Sequence, residues 1–191
     1  MQRICVIGCS GAGKSTLSKR LAEITGLPLV SLDKHYWQPG WVPTPTEQWH
    51  PLHDTLIARD RWIIDGNYSS SLARRVAAAD MIVFMDYPRY RCLTRVLKRI
   101  AFNWGQTRSE LADGCPEHLD WEFLRFIWNF PRRNRPGLID ALRQCDPDRI
   151  HVIRNERERT AFLAHIESAV RETHNNPVPV TPTRTGADGS L

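Results

Sequence analysis

No apolar run in this chain of 191 residues approaches the ~20 residues that a membrane-spanning helix needs. A helical membrane protein is therefore excluded. The first apolar run begins almost at the N-terminus, so a secretory signal is not expected and the cytoplasm is the expected compartment. Cysteine is sparse and unpaired in pattern: Cys5, Cys9, Cys92, Cys115 and Cys145 are odd in number, scattered, and contain no C-x-x-C. That argues against both a disulfide framework and a zinc site. Among the histidines only His50-x-x-His53 has a spacing of interest, and alone it does not make a metal site. Lysine is nearly missing, with Lys14, Lys19, Lys34 and Lys98 the only examples. The net charge of +5 and pI of about 9.2 are thus carried by arginine. Arginine forks suit phosphate groups, which fits either a polyphosphate ligand or nucleic acid, with a merely solvated basic surface as the alternative. No internal repeat is present. The length is that of one domain able to bury a core.

What the chain does contain is concentrated near its start. Gly8-Cys9-Ser10-Gly11-Ala12-Gly13-Lys14-Ser15 fits the phosphate-binding pattern G-x-x-x-x-G-K-[ST] at every fixed position. Ile4–Ile7 before it reads as a buried strand, and Thr16–Ala22 after it has helical apolar spacing through Leu17 and Leu21. Glycines free the backbone to point successive N–H groups at phosphate oxygens, and a helix N-terminus adds partial positive charge behind them. Gly8, Cys9, Ser10, Gly11, Ala12, Gly13, Lys14, Ser15 and Thr16 are therefore the expected nucleotide cradle. Lys14 would reach the β- and γ-phosphates, and the Ser15 hydroxyl would ligate Mg²⁺. Cys9 is expected to be a small filler residue; a lowered thiol pKa is the alternative.

Five apolar runs, Ile4–Ile7, Leu27–Leu32, Trp62–Asp65, Met81–Asp86 and Arg149–Ile153, alternate with helical patterns. This predicts an α/β fold with a five-stranded parallel sheet and helices on both faces. In such sheets the ligand sits beyond the carboxyl ends of the strands, which is where the P-loop, Asp33, Asp65 and Asp86 would fall. The Trp- and Pro-rich segment 33–61 is irregular at first, with a helix expected over Thr46–Ala58 capped by Thr46 or Thr44. Gly105–Pro116 reads as a loop, the aromatics of Trp121–Trp128 as core, with an aromatic and arginine surface that could stack on bases as the alternative, and residues 173–191 as a disordered tail.

Asp65 is the preferred carboxylate for Mg²⁺, because Gly66 after it permits close approach of a ligand; Asp86 competes for the role, and either could instead shape a turn. Asp33 could orient an acceptor or take its proton, or simply cap the loop that follows. Arg74 or Arg75 could hold an acceptor phosphate. Arg91, Arg95 and Arg99 recur every four residues, opposite an apolar face of Leu93, Val96, Leu97 and Ile100. Like charges at this spacing cost a few tenths of a kcal/mol per pair. A bridging polyanion removes that cost, so the stripe reads as phosphate-facing or as a solvated face with acidic neighbours.

With these residues in place the chain resembles the small P-loop kinases of the adenylate-kinase-like class. More closely, it resembles bacterial proteins of the topology modulation family. The resemblance is carried by Ile7–Thr16, Leu32–Trp41, Trp62–Tyr68, Asp86–Arg89 and Gly114–Glu117, and spans roughly residues 1–170. It implies a three-layer P-loop domain over about 1–172, with a substrate segment at about 33–61 and a mobile lid at about 103–120. Asp65-Gly66 matches the strand-end Asp-Gly whose aspartate lies near magnesium. Arg95 and Arg99 match the paired lid-base arginines that grip ATP. The segment after Asp33 departs from the helical AMP-binding insertion, and Asn67-Tyr68-Ser69 replaces the usual Phe-Pro-Arg.

The expected function is an ATP- and Mg²⁺-dependent phosphotransferase acting on a nucleotide or a small hydroxyl or phosphate acceptor. Lys14, Asp33, Arg95 and Arg99 are its expected catalytic residues, and Ser15 and Asp65 its metal residues. The rival is a nucleotide-gated regulatory or DNA-associated ATPase; a nucleic-acid partner is not favoured.

Overall fold

The computed structural model describes residues 1–175. In chain order the elements are β1 (Arg3–Gly8), α1 (Lys14–Thr25), β2 (Leu29–Ser31), α2 (Leu32–Tyr36), β3 (Trp37–Gln38), β4 (Val42–Pro43), α3 (Thr46–Ile57) and β5 (Trp62–Asp65). They continue with α4 (Ser69–Ala78), β6 (Met81–Met85), α5 (Arg89–Phe102), α6 (Trp121–Arg133), α7 (Arg135–Leu142), β7 (Ile150–Ile153) and α8 (Glu156–Asn175). Each of the five apolar runs forms a strand of one sheet, ordered β2-β5-β1-β6-β7 and parallel throughout.

The burial pattern explains the sequence pattern. Ile4 to Ile7, Trp62 to Ile64 and Ile82 to Met85 are fully buried, as unbroken apolar runs must be in strands covered on both faces. α1 packs on β1, β2, β5 and α8, while α4 packs on β1, α3 and α7. α5 commits Cys92, Val96 and Ile100 to the core, one residue per turn. Because every strand of the sheet points the same way, Gly8, Ser31, Asp65, Met85 and Ile153 all end at one edge. The register fixes this alignment: Val6 opposes Asp65, Ser31 opposes Asp65, Gly8 opposes Met85, and Met85 opposes Ile153.

Three expectations change. The helix after the Trp- and Pro-rich segment does begin at Thr46, but its N-cap is Pro45 and no side chain caps it. The Thr44 hydroxyl instead donates back to Tyr36 O at 2.6 Å, closing the β3–β4 hairpin that precedes the helix. The aromatics of α6 are not all core: Leu124, Ile127 and Phe130 face inward, whereas Trp121, Phe126 and Trp128 are exposed. Residues 173–175, expected in the tail, close helix α8; the remainder of that expected tail lies outside the described residues.

Candidate active site

The glycine loop between β1 and α1 is built by close packing. Gly8, Gly11 and Gly13 adopt positive φ of 143°, 82° and 96°. A Cβ on Gly8 would collide with the Met85 carbonyl, and one on Gly11 with the Cys92 carbonyl of α5. Side chains are excluded there for want of space as well as for conformation. The first backbone bond of α1 runs from Leu17 N–H to Gly13 O, so the amides just before Leu17 have no acceptor within the helix. The first turn of α1 holds no acidic residue and its N-cap makes no side-chain bond. That is a cradle of donors for an anion. Lys14 Nζ folds back on Cys9 O at 3.2 Å. Cys9 is buried against Cys92; their shared hydrogen bond and burial push its thiol pKa up, so it is filler and not a thiolate.

Asp65 stands beside this cradle. It is 5% exposed, and its Oδ1 has no hydrogen-bond partner among the described residues. Burial raises its carboxyl pKa, while the Lys14 charge and a hydrogen bond with Ser15 pull it back. A buried, partly unsatisfied carboxylate oxygen against a hydroxyl is a suitable pair of oxygen ligands for a hard cation. Asp86 differs. Arg135 grips both its oxygens, Nε to Oδ1 at 2.8 Å and Nη2 to Oδ2 at 2.7 Å. Its carboxylate is committed to α7.

Asn67 and Tyr68, which follow Asp65-Gly66, were given no role from the sequence. Asn67 bonds reciprocally with Gly8, accepting from its N–H at 2.9 Å and donating to its carbonyl at 2.7 Å. Tyr68, in a left-handed conformation with φ 40°, donates its phenol to Asp33 Oδ1 at 2.7 Å. Burial and the Asp33 charge push the Tyr68 hydroxyl pKa up, so it remains a donor. Asp33, in the first turn of α2, is thereby fixed at the same sheet edge as Asp65, whose pKa it raises further.

The two arginines offered for an acceptor phosphate are used elsewhere. Arg75 is fully buried and donates to Gly66 O at 2.8 Å and to Asn67 O, with His53 Nε2 at 3.1 Å. Arg74 pairs with Asp54 at 2.6 Å. The arginine stripe of α5 is likewise not left to repel itself. Arg95 donates to Ala12 O at 3.1 Å, pairs with Glu156, and lies 4.9 Å from the Tyr87 ring centroid. Arg99 pairs with Glu117 at 3.0 Å, while Arg91 is exposed. The structure brings Arg95 to the glycine loop and Arg99 to the 103–120 loop. The carboxylates that neutralise them come from far along the chain.

That loop touches the substrate-side hairpin. Gly40 N–H donates to Gly114 O at 2.7 Å, Trp41 Nε1 to Pro116 O at 3.0 Å, and Cys115 Sγ to Gln38 O at 3.2 Å. These contacts tie the 103–120 loop to the hairpin that follows Asp33.

No protein-family model and no curated protein sequence matches the chain. Solved structures do. The chain is similar to shikimate kinase from Acinetobacter baumannii in complex with shikimate, at 16% identity over 92% of this chain and 96% of that one, with a TM-score of 0.55. It is similar to shikimate kinase from Bacteroides thetaiotaomicron at 15% identity over 89% and 98%, with a TM-score of 0.53. A gluconokinase from Sinorhizobium meliloti 1021 aligns at 16% identity over 90% and 97%, with a TM-score of 0.46. At such identities the likeness is one of fold. The chain has the adenylate-kinase-like P-loop fold: a five-stranded parallel sheet between helices, shared with these shikimate kinases.

Proposed function

We propose that this protein is an ATP- and Mg²⁺-dependent phosphotransferase acting on a small hydroxyl-bearing acceptor. The observation that carries the reading is Asp65 Oδ1, buried and unpartnered beside Ser15 at the mouth of a loop whose Gly8 and Gly11 leave no room for a Cβ. The structural likeness to small-molecule kinases supports the reaction class. The finer kinship with topology modulation proteins rests on the segments Leu32–Trp41, Trp62–Tyr68 and Gly114–Glu117.

In this reading the loop amides left free by the Gly8–Asn67 and Ala12–Cys9 bonds, with those of Lys14 to Thr16 at the start of α1, hold the phosphates of ATP, and Lys14 leaves Cys9 O to bind them. Ser15 and Asp65 would hold Mg²⁺, which when bound would neutralise charge on the phosphate oxygens. Arg95 and Arg99 stabilise negative charge on the phosphoryl group as it transfers. Asp33 has one oxygen fixed by Tyr68, so its other oxygen is the one that orients the acceptor hydroxyl or takes its proton. Arg75 is buried on backbone carbonyls and Arg74 points out to Asp54 at the surface, so this reading assigns neither to an acceptor phosphate. That favours hydroxyl compounds over nucleoside monophosphates.

The test is ADP release from Mg-ATP across a panel of nucleotides, sugars and hydroxy acids, with and without DNA. Stimulation by one small hydroxyl compound supports the proposal. Stimulation by DNA alone, with steeply salt-dependent DNA affinity, would replace it with the regulatory reading.

A further inference from the structure

The 103–120 loop contains a buried carboxylate with no part in the chemistry above. Glu117 is 3% exposed, a burial that glutamate tolerates only when paired. Its backbone staples the two ends of the loop: Gly105 N–H donates to Glu117 O, and Glu117 N–H donates to Gln106 O, both at 2.9 Å. Its side chain lies between two guanidiniums. Arg99 Nε is 3.0 Å from Oε1 and Arg99 Nη2 is 3.3 Å from Oε2, while Arg108 Nε bonds to Oε1 at 2.5 Å. One arginine belongs to α5 and the other to the loop, so this carboxylate is what joins them.

The chain of charges continues to the nucleotide side. Arg108 is 3.8 Å from Glu110, which pairs with Lys19 of α1 and accepts from Ser31 Oγ through its carbonyl at 2.9 Å. The loop is thus moored to the helix that follows the glycine loop and to the end of β2. Burial and the charge of Arg108 both disfavour the charged form of Arg99, and Glu117 opposes them. Asp33 favours the charged form of Arg99 in the same sense as Glu117. Three cations, Arg99, Arg108 and Lys19, on two carboxylates, Glu117 and Glu110, leave one positive charge to spare for an anion.

We propose that Glu117 is a positioning residue for the nucleotide: it holds Arg99 and Arg108 together beside α1 and the end of β2, so that a polyphosphate meets a preorganised pair. This rests on the P-loop reading above. Without the carboxylate the guanidiniums repel and separate, and binding must first bring them back.

The experiment titrates wild type, Glu117→Gln, Arg108→Ala, the double variant and Lys14→Ala with the fluorescent analogue mant-ATP and Mg²⁺. Glu117→Gln preserves size and the backbone staple but removes the charge; it should weaken mant-ATP binding about tenfold. In the Arg108→Ala background the same change should cost less than about twofold, because no second arginine remains to be gathered. Equal losses in both backgrounds, or a folded Glu117→Gln within twofold of wild type, would overturn the proposal. Should Glu117→Gln fail to fold, Glu117→Asp keeps the charge but is too short to reach both arginines. It should show the same non-additive weakening, and wild-type affinity would overturn the idea. Wild-type binding lost in Lys14→Ala, with no effect at Glu117, sinks this inference alone. Wild type failing to bind mant-ATP, or Lys14→Ala binding as wild type does, sinks the P-loop reading with it.

Discussion

Asn67 clasps Gly8 through both halves of its carboxamide, at 2.9 Å to the amide and 2.7 Å to the carbonyl. The first glycine of the phosphate loop is therefore held by the residue two places after the candidate metal carboxylate. The loop and Asp65 are set relative to each other by two hydrogen bonds across neighbouring strands β1 and β5. Arg75, buried behind them, anchors the Gly66 and Asn67 carbonyls.

Asn67→Ala should destabilise the protein by about 1–3 kcal/mol, since it strands a part-buried donor and acceptor on Gly8. It should also weaken nucleotide binding, because the loop loses its brace. Urea denaturation and mant-ATP titration measure the two effects. Full stability in Asn67→Ala would mean that the clasp is incidental.

The two strand-end aspartates should separate cleanly. Asp65→Asn should raise the Mg²⁺ concentration needed for turnover, with little loss of stability, because burial already disfavours the charge. Asp86→Asn should leave the Mg²⁺ requirement unchanged and lower stability by about 1 kcal/mol through its bidentate partner Arg135. The raised Asp65 pKa adds a pH sign. As pH falls, Asp65 protonates earlier than an ordinary carboxylate, so Mg²⁺ affinity should weaken at higher pH than for an exposed aspartate. A magnesium titration with the ranking reversed would assign the metal to Asp86.

How much of this was legible in the sequence depends on range. The glycine loop and the five strands are local patterns, and each appears where its pattern lies. Asp65 and Asp33 could be placed at one sheet edge because parallel strands leave no alternative. The arginines could not be resolved, since Arg74 and Arg75 differ only in which way a helix turns them. Arg75 points into the core between His53 and Gly66, and Arg74 points out to Asp54. The neutralising partners of Arg95 and Arg99 lie 61 and 18 residues away, beyond any spacing rule. The signal that was present and unused is Asn67 after Asp65-Gly66, an amide where a loop carbonyl and N–H both need a partner.

Trp41 should couple the hairpin to the 103–120 loop. Its φ of 63° is strained for a large side chain, and its Nε1 bond to Pro116 O holds it there. Trp41→Phe removes that bond, so amide exchange should accelerate at 37–43 and at 114–118 together, with α1 unaffected. Faster exchange in the hairpin alone would show that the two segments move independently.

His53 should make stability fall on mild acidification. Burial, foremost, and the neighbouring Arg75 and Arg74 charges lower its pKa to about 4 against the pull of Asp54. The folded state therefore keeps His53 neutral while the unfolded state takes up a proton below its ordinary value. Stability is full above that value and is lost as pH falls toward 4, by at most about 3 kcal/mol. Denaturation curves between pH 7.5 and 4.5 for wild type and His53→Gln isolate this contribution. Parallel pH profiles would remove His53 as its source.

The most direct test of the central claim is acceptor-dependent ADP release from Mg-ATP by wild type and by folded Lys14→Ala, assayed side by side. If the Gly8–Thr16 loop is the phosphate cradle of a phosphotransferase, a small hydroxyl compound should accelerate ADP release by wild type. Lys14→Ala should reduce that rate by roughly a hundredfold or more while its unfolding curve stays in place. Equal rates in the two proteins, or no acceptor that raises release above that in water, would contradict the account.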